Sequence, residues 1–141
     1  MKPDAKGQSL AEIVVSIGVV ALLVTGVIVA TTSSLRNSQA GRVRSLAIQA
    51  AQEGAELARD LRNQSWSEFL ASEGEWCVEK DGVWSAAAED CPFSIDNTFA
   101  RTITLSWDTL HERMIVVVVV SWMESGEVRQ TTIETYMTNW R

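Results

Sequence analysis

Residues 13–35 read IVVSIGVVALLVTGVIVATTSSL, a run of 23 residues without a charged side chain. As an α-helix this run would be about 35 Å long, at about 1.5 Å per residue. That length spans the apolar core of a bilayer, which is roughly 30 Å thick, and exceeds the roughly 7–15 apolar residues of an ordinary signal peptide. Valine and isoleucine lower helix propensity in water, but in lipid a helix satisfies its own backbone. The run therefore predicts a transmembrane helix.

One carboxylate, Glu12, lies at the beginning of this run, directly after Leu10 and Ala11. A carboxylate in an apolar environment is costly unless it is paired. Two interpretations are open at this point. Glu12 either reaches the lipid headgroups or meets a cation from a neighbouring chain.

The charges around the run do not determine the orientation of the predicted transmembrane helix, because basic residues lie on both sides of it. Lys2 and Lys6 precede it, and Arg36, Arg42 and Arg44 follow it. The formal net charge of −6 argues against general binding to nucleic acid, which needs clustered basic residues. We expect the arginines to meet lipid headgroups. DNA capture through them or through Arg141 is a minority alternative.

Residues 6–15, KGQSLAEIVV, resemble the N-terminal signature of type IV prepilins and pseudopilins. In that family a peptidase removes a short basic leader after a glycine, the new first residue is methylated, and the fifth mature residue is glutamate. The resemblance therefore implies a leader at residues 1–7, cleavage between Gly7 and Gln8, and N-methylation of Gln8. It implies that Glu12 forms an assembly salt bridge with the terminal amine of an adjacent subunit.

Three positions refine the resemblance. Gln8 stands where the family usually has phenylalanine. Val29 occupies the position of a proline found in many major pilins, and Gly26 falls where minor pilins of the PilV and pseudopilin-I type often have glycine. The resemblance thus implies a minor subunit rather than a major one.

The function implied by this resemblance is structural. It is a minor pilin or pseudopilin, not an enzyme, which assembles through its N-terminal helix into a type IV pilus or related filament. The implied partners are other pilin or pseudopilin subunits, the prepilin peptidase, the inner-membrane assembly platform and membrane lipid. The implied location is the inner membrane, with a cytoplasmic N-terminus and an extracytoplasmic head. The alternative is an uncleaved single-pass receptor or adhesin.

The helical pattern continues beyond Leu35. We divide the chain into residues 8–35, the transmembrane and assembly half of the helix, residues 36–64, its amphipathic half, and residues 65–141, a β-rich head. In the amphipathic half, small and apolar residues recur at spacings of three and four. They are Val43, Ala47, Ala50, Gly54, Leu57 and Leu61. We expect this stripe to pack on the sheet of the same chain, with a groove for a partner helix as the alternative, and the helix to end near Leu61.

The head reads as an antiparallel meander. Asp81-Gly82 predicts a hairpin turn. Residues 99–107 alternate as a strand that carries Phe99, Arg101, Ile103, Leu105 and Trp107 on one face. Residues 114–122 contain five consecutive valines and predict a central strand buried on both faces. Residues 128–137 form the last strand. The predicted fold class is α+β, with a long N-terminal transmembrane helix packed on a small antiparallel β-meander head.

The two cysteines, Cys77 and Cys91, suit neither a CxxC redox pair nor a four-ligand zinc site. In an extracytoplasmic head a disulfide is expected, and it would contribute roughly 3 kcal/mol. Free thiols in a reducing compartment are the alternative.

The sequence carries no recognisable catalytic motif. His111 is alone in a polar connection, and the acidic residues around the cysteine loop match no EF-hand spacing, so we expect neither a cofactor nor a metal. The six tryptophans are interpreted mainly as core or cross-strand residues, with a sugar-binding patch as the alternative.

Overall fold

The structure is a computed structural model that describes residues 5–87 and 91–139, with side chains from residue 10 onward. The first four residues of the predicted leader, Glu89 and Asp90 of the acidic loop, and Trp140 and Arg141 lie outside the described residues. The chain divides into two compact units, the first ending at Gly41 and the second beginning at Arg42. The elements are α1 (Ala5–Gln64), α2 (Trp66–Ala71), β1 (Gly74–Val78), β2 (Trp84–Ala86), β3 (Phe99–Asp108), β4 (Arg113–Glu124) and β5 (Glu127–Met137).

The second unit contains a five-stranded antiparallel sheet in the order β2-β1-β3-β4-β5. Strands β3, β4 and β5 form the predicted meander, in which Val118 pairs with Ile103 on one side and with Ile133 on the other. Ser125 and Gly126 adopt positive φ angles of 54° and 84° at the turn between β4 and β5. The α+β layout expected from the sequence is confirmed.

The core of this unit lies between the sheet and the α1 segment that begins at Arg42. Ala47, Ala51 and Ala58 on this segment are fully buried. They share one apolar cluster with Ile103 and Val118 of the sheet. Because alanine side chains are short, the helix backbone can approach the strands closely. The prediction that the small-residue stripe packs on the chain's own sheet is confirmed.

The prediction that β4 is buried on both faces is wrong. Burial alternates along the strand, with Val116, Val118 and Val120 fully buried while Val117 and Val119 are half-buried. The helix covers one face of the sheet. Val117 and Val119 lie on the other face, which no described element covers as fully. A run of identical residues hides this alternation from a pattern-based prediction.

An element that was not predicted follows α1. The helix extends to Gln64, three residues beyond Leu61, and the short helix α2 comes directly after it. Ser65 caps α2, since its side chain accepts a hydrogen bond from the Glu68 backbone N–H at 3.3 Å. Phe69 of α2 is completely buried. The serine and glutamate three residues apart are a capping signal that could have located this helix.

The turn between β1 and β2 has the expected place but a greater length. Val78 pairs with Trp84, so the connection runs through residues 79–83 instead of two residues. Within it the Gly82 N–H donates to the Glu79 carbonyl at 3.1 Å. Gly82 has a φ of +76°, which explains the glycine at this position.

Candidate functional site: the apolar helix and its glutamate

The N-terminal part of α1 presents its apolar side chains outward. Every leucine, isoleucine and valine from Leu10 to Leu35 is exposed, from 51% at Val19 to 75% at Leu22. Burying one such side chain fully is worth about 1.5–3 kcal/mol. A surface of this kind requires a lipid phase or other protein chains around it.

Four hydroxyl groups of this segment are satisfied inside the helix itself. Ser16, Thr25, Thr31 and Thr32 each donate to a backbone carbonyl four residues earlier, at 2.7–3.0 Å. Such bonds leave no hydroxyl donor of these four residues unmet in an apolar medium. Among the described residues, α1 is the one helix long and apolar enough to cross a membrane by length and composition.

Glu12 lies on α1 and is exposed. In the described part of the chain its carboxylate has no cationic side chain within ion-pair distance, while its backbone carbonyl accepts the Ser16 hydroxyl at 2.7 Å. Gly7 and Gln8 also lie within α1, ahead of residue 10, where the description of side chains begins.

Two glycines on the same segment have open space around them. A Cβ atom built on Gly18 or Gly26 would meet no atom of this chain within 4 Å. These glycines are therefore not required by packing inside the chain. In membranes, small residues at such positions allow two helices to approach closely.

The basic residues beyond the apolar segment are also free within the described chain. Arg36, Arg42 and Arg44 are exposed and make no ion pair or hydrogen bond with another described residue. Their side chains are available to lipid headgroups or to another chain.

The head contains a buried cation whose burial was not predicted. Arg101 is 1% exposed and lies between the helix and the sheet. Its guanidinium donates to the carbonyls of Ala50 at 3.0 Å, Val78 at 3.2 Å and Glu79 at 2.6 Å. Burial lowers the pKa of Arg101, and the carboxylate of Glu53, 3.8 Å away, partly opposes this effect. The arginine connects the helix to the β1–β2 hairpin, because one guanidinium donates to a carbonyl of the helix and to two carbonyls of the hairpin. This role is structural.

The two cysteines are joined. Cys77 of β1 forms a disulfide with Cys91, and their Cα atoms are 5.3 Å apart. The bond ties β1 to the segment that leads into β3, and Thr102 of β3 donates its hydroxyl to the Cys91 sulfur at 3.2 Å. This is the pairing expected for an extracytoplasmic head.

His111 belongs to a hydrogen-bonded turn. Its Nδ1 lies 2.8 Å from the Asp108 carboxylate, which also accepts from Arg113 Nε at 3.0 Å. Burial raises the pKa of Asp108, but hydrogen bonds from His111 and Arg113 outweigh it and hold the pKa below its usual value. Among the described residues, no cluster of histidine, cysteine and acidic side chains could hold a metal ion.

No protein-family model, no curated protein and no solved structure matches this chain. The resemblance of residues 6–15 to prepilins therefore stays a prediction, and the function has to be argued from the residues.

Proposed function

We propose that this chain is a minor pilin or pseudopilin, a structural subunit that assembles through α1 into a type IV pilus or related filament. The observation that carries the proposal is the coincidence of Gly7, Gln8 and Glu12 at the beginning of an apolar helix that the chain does not bury. A prepilin peptidase would cut after Gly7, and Gln8 would become the methylated first residue. The α+β layout, with a long apolar helix and a small sheet, agrees with the architecture of that family.

The need for neighbours supports a filament over an isolated anchor. Lipid alone would satisfy the apolar side chains of residues 13–35, but it would not neutralise Glu12. Cleavage after Gly7 would create an α-amino group on Gln8, and the same group on an adjacent subunit would supply the missing cation. Removing one partner of a buried ion pair costs about 3–5 kcal/mol. Because the pair forms only when Glu12 and the amine of the neighbour are at the same level, it would select the register of the helices.

The proposed setting follows from the same features. The subunit would enter the inner membrane with its N-terminus in the cytoplasm and its head, including the Cys77–Cys91 disulfide, on the oxidising side. It would pass to an assembly platform that joins it to other subunits. An uncleaved single-pass receptor or adhesin is the competing function. It would keep residues 1–7 and leave Glu12 without an amine partner.

The experiment compares Glu12→Gln with Ser16→Ala in cells that assemble the filament. Glu12→Gln removes the charge but keeps the shape of the side chain. Ser16→Ala lies one turn further along the helix and removes a hydroxyl that bonds only to its own helix. We expect both variants to be processed and to reach the membrane, and only Glu12→Gln to be depleted at least tenfold from sheared filaments. Equal assembly of Glu12→Gln and wild type would contradict the pairing role.

A further inference from the structure

A groove of about 640 Å³ lies at the end of the head where α1 finishes. Trp66 at the beginning of α2, Trp107 near the end of β3, the turn between β3 and β4, and the residues after β5 line it. This groove plays no part in the proposed assembly through α1.

Two tryptophans form the aromatic part of the groove. Trp66 and Trp107 meet edge to face, with ring centroids 6.1 Å apart and an interplanar angle of 71°. Both side chains are half-buried, and Phe69 supports Trp66 from behind at a centroid distance of 5.7 Å. Among the described residues neither indole N–H has an acceptor, whereas Trp76 donates to the Ser72 carbonyl at 2.8 Å. The groove therefore combines a partly exposed aromatic pair with two indole donors that have no acceptor among the described residues.

Neutral polar side chains line the rest of the groove. Thr109, Thr138 and Asn139 are exposed, and their side chains form no hydrogen bond with another described residue. A hydroxyl both donates and accepts, and the asparagine amide adds two donors and an acceptor. Unlike the satisfied hydroxyls of α1, these groups are free to meet a ligand.

His111 adds an acceptor whose state is set by its neighbour. Asp108 accepts a hydrogen bond from His111 Nδ1 at 2.8 Å, so in the neutral ring the proton lies on Nδ1 and Nε2 is left to accept. Asp108 also accepts from the backbone N–H groups of Leu110 and His111, at 3.1 Å and 3.3 Å. The turn is thus held in place before any ligand arrives, which lowers the entropy cost of binding.

The charges identify the class of ligand. No lysine or arginine is among the described residues that line the groove, and the acidic residue among them is Glu112. These described residues offer a phosphate or other anion no lysine or arginine to pair with. A partly exposed aromatic pair in a mainly polar groove of hydroxyl, amide, imidazole and indole groups matches a ligand with several hydroxyls and a small apolar C–H face. We propose that this groove binds a neutral sugar, a pyranose unit of an oligosaccharide.

The test is titration of the full chain in detergent with three neutral probes, cellotetraose, maltotetraose and chitotetraose, followed by tryptophan fluorescence and calorimetry. We expect at least one probe to bind. Asn139→Ala and His111→Ala, both at exposed positions, should each weaken that binding about tenfold. Trp66→Phe, which keeps an aromatic ring on Phe69 but removes the indole donor, should weaken it as well.

Thr132→Ala is the matched control, because Thr132 is an exposed threonine in the middle of β5, outside the groove. It should bind the probe as the wild type does. Failure of all three probes to bind at millimolar concentration would overturn the proposal, as would binding that Asn139→Ala and His111→Ala leave unchanged. The result is independent of filament assembly, since Glu12→Gln should bind the same probe normally.

Discussion

At the scale of single residues, Arg101 contributes most to the order of the head. It is the one charged residue among the buried residues that the structure describes. Its planar guanidinium reaches three carbonyls that come from the helix and from the β1–β2 hairpin. A lysine could not make this pattern, because its ammonium is a point charge without a rigid fork.

Replacing Arg101 should therefore destabilise the head strongly. We expect Arg101→Met to lower the free energy of unfolding by about 3 kcal/mol or more, since it removes three hydrogen bonds from a charged donor, each worth about 1.5–3 kcal/mol. Arg101→Lys should fall between this variant and the wild type. Glu53→Gln is the control, with an effect below about 1 kcal/mol, because the Glu53 side chain is 66% exposed and 3.8 Å away. Urea unfolding followed by tryptophan fluorescence measures all three, and equal effects of Arg101→Met and Glu53→Gln would refute the assignment.

Asp108 gives the head a dependence on pH. Its folded-state pKa lies below the usual value, since hydrogen bonds from His111 and Arg113 outweigh burial. Its stabilising contribution is therefore complete above the unfolded-state pKa of about 3.9. The contribution is lost as the pH falls through the lower, folded-state pKa.

The Asp108→Asn variant should lose this contribution at neutral pH as well. Plotted against pH, its stability should fall less steeply than that of the wild type below about pH 4. Urea midpoints measured between pH 2.5 and 7 provide the comparison. Parallel curves for the two proteins would show that Asp108 does not carry the linkage.

At the scale of elements, the close contact between α1 and the sheet depends on small residues. A Cβ atom built on Gly54 would lie 2.8 Å from Val118 Cγ1 and 2.9 Å from Arg101 Cδ. Real Cβ atoms do not approach neighbours so closely, so the valine and the arginine would have to move. The alanines that flank Gly54 on the buried face keep the same separation between helix and strands.

Gly54→Ala should therefore destabilise the head by about 1–3 kcal/mol, the usual cost of overpacking a core. Gly41→Ala is the matched control, because it also lies on α1 but has no atom within 4 Å of the added methyl group. It should be neutral or stabilising by up to about 1 kcal/mol through helix propensity. Thermal unfolding of the full chain in detergent distinguishes them. A Gly54→Ala protein that melts with the wild type would contradict the packing.

Periodicity located most of these elements from the sequence, and its failures have physical causes. The spacing of Ala47, Ala50 and Gly54 marked the buried face of α1, and the alternation from Phe99 to Trp107 marked β3. The six residues of α2 are too few to show a period. The alternation placed Arg101 on the same face of the strand as Ile103 and Leu105, but its three acceptors lie 22, 23 and 51 residues away, so no local pattern could reveal them.

The candidate site on the N-terminal helix was predicted from a short motif and not from periodicity. Gly7, Gln8 and Glu12 were singled out by their spacing and by the apolar run that follows. The structure adds that the apolar side chains of this run are exposed and that four of its hydroxyls bond to the backbone of the same helix. The groove between Trp66 and Trp107 was not predicted, because it unites residues from α2, β3 and the chain after β5.

At the scale of the whole molecule, the two units have different requirements. The unit that begins at Arg42 has its own buried core, and the Cys77–Cys91 disulfide links two of its segments covalently. The unit that ends at Gly41 buries none of its apolar side chains from Leu10 onward. An exposed apolar surface of this size requires a lipid phase or other protein chains around it, and the proposed maturation at Gly7 would prepare the chain for contact with other subunits.

The most direct test is the intact mass of the protein purified from filaments or membranes of cells that contain the prepilin peptidase. We predict a chain that begins at Gln8, lighter than the full sequence by residues 1–7, and heavier by one methyl group if Gln8 is methylated. A Gly7→Leu variant should keep the full leader under the same conditions. A wild-type chain that still carries Met1 or Lys2 in assembled material would contradict the proposed function.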